Sequence, residues 1–184
     1  MITVRETPLA GVLCIEPVVH GDERGFFLET YHRDGYRKAG VDLDFVQDNH
    51  SRSRKGVLRG FHYQDLSAPM AKLVRCTSGA VLDVVVDLRV GSVTFGRSFA
   101  TELTGENYRQ LLVPVGFGHA FLTLSEQADV EYKCSGYYDP AAEQTIAWND
   151  PDIAAAWPTK TPIVSSKDPR GMTLAEYRTR PAFP

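Results

Sequence analysis

The run Val57-Leu58-Arg59-Gly60-Phe61-His62-Tyr63-Gln64 places an arginine, a glycine and a histidine in an otherwise apolar, aromatic stretch. An imidazole in that setting is either an acid–base group working near neutral pH or a packed ring satisfied by a neighbour. A second such ring, His119, closes Pro114-Val115-Gly116-Phe117-Gly118-His119, and Lys72 opens the alternating run Lys72-Leu73-Val74-Arg75-Cys76. Arg24, Arg59 and Lys72 each sit beside a glycine or in a strand-like run, and a charge in apolar surroundings needs a partner or water. Singly, each reads as a solvated surface cation. As a set with His62 and His119, they suit a ligand that carries phosphates and develops an oxyanion. Tyr132, in Asp129-Val130-Glu131-Tyr132-Lys133, is either core or a proton donor. Asp168, in Ser165-Ser166-Lys167-Asp168-Pro169, has the setting of a turn or N-cap residue, and nothing in the sequence distance brings it to His62.

Short strands are the elements that must position these groups. Side chains two apart share a face of a strand, so His62 and Arg59 fall on opposite faces if the strand is regular, and Gly60 either leaves room beside His62 or marks a bulge. Upstream, two apolar segments, Met1–Glu6 and Gly11–Val19, precede a turn at Gly21–Gly25, and Phe26–Tyr31 resumes a strand. Tyr36–Gly40 is expected to be one short helix, and Arg52–Gly56 a polar, basic turn. Val81–Arg89 is β-branched and interrupted by carboxylates, which favours strand. Phe99–Leu103, Gln110–Val115, Ala120–Leu124 and Val130–Tyr132 follow at similar spacing, between glycine-rich turns. This pattern predicts an all-β barrel or sandwich. After Tyr138, prolines at 140, 151, 158, 162 and 169 break the chain into turns and short helices, too short and proline-rich to bury a core of their own. The tail is expected to wrap the barrel, giving one domain over residues 1–184.

The 184 residues, 43% hydrophobic and 23% charged, have the balance of a globular chain able to bury a substantial core. A net charge of −3 argues against non-specific nucleic-acid binding, which needs a basic face. No window has membrane-spanning length, and the N-terminus lacks the apolar core of a signal peptide. Three cysteines without paired spacing suit reduced thiols in a cytoplasmic protein.

Pro114-Val115-Gly116-Phe117-Gly118-His119 resembles the second motif of cupins, whose final histidine faces the interior of a small jelly roll. Metal-binding cupins carry His-x-His earlier in the chain, where this sequence has His62-Tyr63-Gln64. Two histidines without further ligands make a poor transition-metal site, so a metal-free barrel is expected. Further motifs occur in order: Gly21–Phe27, Gln47–Ser51, Gly56–Gln64, Lys72–Cys76, Asp83–Asp87, Thr94–Gly96, Trp148–Ile153 and Ser165–Asp168. From about Gly21 to about Gly171 the sequence resembles the dTDP-4-dehydrorhamnose 3,5-epimerase family, which are isomerases that use no cofactor.

That resemblance implies a cupin-like jelly roll with short helices and an irregular, proline-rich C-terminal segment. It implies epimerisation of dTDP-4-dehydro-6-deoxy-D-glucose at carbons 3 and 5 through an enolate. By motif, His62 would be the base, Asp168 its orienting carboxylate, and Tyr132 the acid on the opposite face of the sugar. Lys72 and His119 would stabilise the enolate. Arg24, Glu29, Gln47, Asp48, Asn49 and Arg59 would hold the nucleotide and its diphosphate, with Tyr138 stacked on the base and Glu143 and Lys167 nearby. It also implies a homodimer in which N-terminal strands, about residues 1–31, are exchanged, with the jelly roll over about 32–138 and the tail over about 139–184. Phe61, Met70-Ala71, Val93, Val115, Gly118 and Ala120 depart from the residues usual in the family. They leave room for inversion of a single carbon in a related nucleotide 4-ketosugar. A non-catalytic sugar-binding cupin is the alternative of another class, but a binding module has no need of both an acid and a base.

Overall fold

The computed structural model describes residues 2–184. Two antiparallel sheets face each other in a cupin-like jelly roll. The first is six-stranded, in the order β1 (Ile2–Glu6), β2 (Leu13–Pro17), β10 (Gln110–Val113), β7 (Lys72–Ser78), β12 (Gln127–Cys134), β5 (Gln47–Arg54). The second has the order β13 (Glu143–Thr145), β6 (Leu58–Gln64), β11 (Phe117–Thr123), β8 (Ala80–Asp87), β9 (Ser98–Thr104). A separate ribbon pairs β3 (Val19–Asp22) with β4 (Gly25–Leu28).

Period-two alternation divides the apolar side chains between three layers. Val74, Leu111, Val113 and Val130 of the first sheet meet Val81, Val85, Phe117 and Phe121 of the second, filling the barrel. The alternate residues of the second sheet, Phe61, Tyr63, Val84, Val86 and Ala120, point outward under Ile146, Ile153, Leu174, Tyr177 and Phe183 of the tail. Strand β11 is therefore buried along its whole length, and the tail acts as a third layer. On the far side, Ile15, Leu73 and Leu112 pack under Tyr36 of α1 (Arg33–Lys38) and Val41. In the tail, α2 (Leu174–Thr179) starts with a capping box between Thr173 and Glu176. Buried Asp150 accepts from the backbone amides of Asp152, Ile153 and Leu174, tying the turn after Trp148 to that helix.

Three expectations are corrected. The helix begins at Arg33 rather than Tyr36, because the His32 ring caps it by accepting from the Gly35 amide, and Gly40 lies beyond its end. Arg52–Gly56 is not a turn up to Arg54: β5 continues through it, since β12 supplies a full ladder and Asp129 receives the Arg52 guanidinium. Gly11–Val19 divides between β2 and β3, with a break at Val18. The glycine-bounded turn at 91–96 is present. Burial alone would raise the Asp87 carboxyl beneath it, but hydrogen bonds from Arg89, Ser92 and Thr94 outweigh that and hold it at about 2. Among the described residues, no helix is long and apolar enough to cross a membrane.

Candidate active site

His62 and His119 are direct partners across β6 and β11, both on the inward face. The ladder slips one residue beyond them: Arg59 stands opposite Phe121, so Gly60 and Phe61 together face Ala120. Of the two possibilities at Gly60 the strand takes the bulge, so the opposite faces of a regular strand do not apply and Arg59 comes round to the same side as His62. Gly60 sits at φ +116°, and a Cβ there would lie 2.7 Å from both Cα and Cβ of Ala120. Only glycine fits such a backbone at such a distance. Gly60→Ala is expected to cost about 3 kcal/mol of stability and to displace His62 and Arg59 together. A urea melt read beside turnover checks this: unchanged midpoint and unchanged turnover would refute it.

His62 is 29% exposed, and its Nε2 lies 2.7 Å from Oδ1 of Asp168, itself 1% exposed. Burial pulls the Asp168 carboxyl up, but hydrogen bonds from His62 and Ser165 outweigh it, leaving the group below the ordinary carboxylate range. A carboxylate only accepts, so Nε2 carries the proton and Nδ1 of the neutral ring keeps its lone pair. Among the described residues, Nδ1 has no hydrogen-bond partner.

A cavity of about 100 Å³ opens beside this ring. His62, Gln64 and Glu143 line it from the second sheet, and Asn49, Lys72 and Tyr132 from the first, with Met70 and Tyr138 at its loops. Histidine and phenol thus reach one space from facing sheets. Burial pushes the Tyr132 hydroxyl up, so it stays protonated at neutral pH. The Lys72 ammonium lies 5.8 Å from the centre of the Tyr132 ring, and desolvation lowers its pKa. It forms no carboxylate ion pair among the described residues. At the mouth, Glu143 accepts from the Tyr138 hydroxyl at 3.1 Å and from Lys167 at 3.0 Å. Gln47 accepts from the Tyr138 amide and donates to Asn49, and the Arg59 guanidinium donates to Ser53 at 3.0 Å.

Not every expected residue converges here. Asp48 alternates with its neighbours, points to the outer face of the six-stranded sheet and pairs with Lys133 at 2.9 Å. His119 does not line the cavity; its Nε2 lies 2.9 Å from both oxygens of Asp83, which is fully buried. Arg24 sits at the tip of the β3–β4 ribbon, 85% exposed and paired with Asp22, and Glu29 follows the same ribbon. The expected set of Arg24, Arg59 and Lys72 is therefore not assembled within one chain. Asp83 escaped notice as a site residue, although a carboxylate interrupting a β-branched run was its visible signal. Of the departures from family usage, Met70 alone lines the cavity; Phe61 and Ala120 face the tail and Val93 is solvent-exposed.

A family model described as dTDP-4-dehydrorhamnose 3,5-epimerase matches residues 6–176. The chain belongs to this family. It is 48% identical over 170 residues to the dTDP-4-dehydrorhamnose 3,5-epimerase of Salmonella typhimurium, which covers 91% of this chain and 93% of the relative. It is 42% identical over 182 residues to a dTDP-4-dehydrorhamnose 3-epimerase of Streptomyces niveus, covering 98% and 88%. Among solved structures, it resembles the dTDP-6-deoxy-D-glucose-3,5-epimerase of Legionella pneumophila in complex with dTDP-4-keto-L-rhamnose. The TM-score is 0.91 and the identity 44%, over 95% of this chain and 94% of that one. The all-β jelly roll and the membership of an epimerase family inferred from the motifs are both borne out.

Proposed function

We propose that this family member epimerises dTDP-4-dehydro-6-deoxy-D-glucose at carbons 3 and 5 to dTDP-4-dehydro-L-rhamnose. The observation that carries this is the approach of His62 and Tyr132 to one cavity from facing sheets. A proton beside a ketone is weakly acidic, and its removal needs a base near the working pH and a cation at the carbonyl oxygen. Nδ1 of His62 takes the proton, and Asp168 stabilises the imidazolium that results. The electron pair left on carbon moves to the oxygen, where the Lys72 ammonium, desolvated and unpaired, gains most from an anion. His119, fixed by Asp83, lies behind the lining beside His62 on the neighbouring strand. Tyr132 then delivers a proton to the opposite face, which inverts the carbon, and exchange with water restores both groups. The same sequence serves carbons 3 and 5, since each adjoins the carbonyl.

Gln47, Asn49 and Arg59 flank the cavity where the nucleotide diphosphate would lie, and Tyr138, Glu143 and Lys167 form the rim where the base would stack. Arg24 and Glu29 fit the same ligand only from a second copy. Phe26 and Phe27 on their ribbon are 59% and 70% exposed, a costly arrangement for a free chain. We therefore infer a homodimer in which the N-terminal strands complete the partner's site and cover its edges. The unpaired thiols of Cys14, Cys76 and Cys134 suit a cytoplasmic setting.

Proton NMR of the product formed from the dTDP-ketosugar in deuterated water tests the reading. Deuterium and inversion at both carbons are expected. Inversion at carbon 3 alone would make the chain a 3-epimerase, and no reaction would remove the epimerase reading.

A further inference from the structure

We propose that Ser165 is a positioning residue for the proton-abstracting dyad, acting through Asp168. The inference rests on the reading of His62 as the base. Asp168 is delivered to His62 from 106 residues away, on a 3-10 turn (Asp168–Arg170) in an exposed part of the tail. The second sheet pins this segment only at its flanks, where Ile163 bonds Gly56 and Leu58 and Met172 bonds Thr145, so between them the plane of the carboxylate is fixed by local bonds. Ser165 supplies them. Its backbone amide and its hydroxyl both donate to Oδ2 of Asp168, at 3.1 and 2.9 Å, while Oδ1 is left to His62. The same hydroxyl oxygen accepts from the amides of Lys167 at 3.2 Å and Asp168 at 3.3 Å. A single side chain thus binds both ends of the segment that carries the dyad carboxylate and the rim lysine.

The division of labour between the two carboxylate oxygens has a consequence. With Oδ2 occupied by two donors, the carboxylate cannot rotate without breaking both bonds, and Oδ1 stays in line with Nε2. Orientation of this kind acts on the chemical step, because a base misplaced by a fraction of an ångström loses rate rather than substrate affinity. Serine and threonine can both do this; alanine cannot.

The test measures kcat and KM for solvent deuterium uptake with the full-length protein. Ser165→Ala is expected to lower kcat about tenfold, the scale of one charge-assisted hydrogen bond, with KM essentially unchanged. Ser165→Thr should restore it. In an Asp168→Ala background the Ser165→Ala change should cost nothing more, since the group it orients is gone. An unchanged kcat, a fall confined to KM, a fall of equal size in the Asp168→Ala background, or a Ser165→Ala protein that cannot fold would each overturn the proposal. His62→Ala is run alongside: if it still exchanges, the base assignment fails and takes this proposal with it. Failure of Ser165 alone leaves that assignment standing.

Discussion

His62→Ala and His62→Asn are expected to abolish exchange of the protons beside the ketone with solvent, a loss of about 10³-fold or more at neutral pH. The argument is geometric. The other titratable groups on the cavity are Lys72, Tyr132, Tyr63, Tyr138 and Glu143. Tyr132 is pushed up by burial and holds its proton, and Tyr63 is buried within the tail cluster. Burial alone would raise Glu143, but Lys167 and Tyr138 outweigh it, so its carboxyl lies below its ordinary value and is a poor base as well as a committed one. Lys72 is the cation proposed for the carbonyl oxygen. Asp168→Asn should be milder, about 10²-fold, because the amide oxygen still accepts from Nε2–H while the charge that stabilises the imidazolium is lost. Deuterium uptake followed by NMR reads both variants directly. Uptake at the wild-type rate in His62→Ala would end the assignment.

The strand carrying His62 and the motif ending at His119 were legible because alternation and a glycine-bounded turn are local signals. The pairing of His62 with Asp168 came only from the family motif and from no local signal: the two are joined by the way the tail lies across the second sheet, and that depends on the burial of Ile146, Leu174 and Tyr177. Gly60 could be seen as a gap or a bulge, but the choice between them is made by Ala120 on the neighbouring strand. At Arg52 the polar composition suggested a turn, and pairing with Asp129 prevailed over it. Asp48 was carried into the site by its motif, although strict alternation with Gln47 and Asn49 already turned it outward. Arg24 and Glu29 mark a different limit. Their motif is intact, yet the chemistry they suit lies in a cavity that their own chain does not bring them to.

Tyr132→Phe separates the two halves of the proposed reaction and should have the second large effect. The substitution keeps the ring that packs among Val74, Val130 and the rest of the barrel core, so the fold should be little affected. It deletes the one hydroxyl proposed to face the substrate from the six-stranded sheet. In the proposed reaction the enolate forms through His62 and Lys72, neither of which is altered. Exchange of label in deuterated water should therefore continue near the wild-type rate. The enolate, deprived of its donor on the far face, returns to substrate by taking a deuteron from His62 on the original face. Inversion should fall by about 10²-fold, the usual contribution of a placed general acid, while exchange does not. The ratio of exchange to inversion, read carbon by carbon from one NMR time course, is the quantity to measure. The shortfall should be greatest at the carbon that leans most on Tyr132, and the family resemblance points to carbon 5. Inversion of both carbons at the wild-type rate would make Tyr132 a packing residue of the barrel, with water the next candidate for the acid.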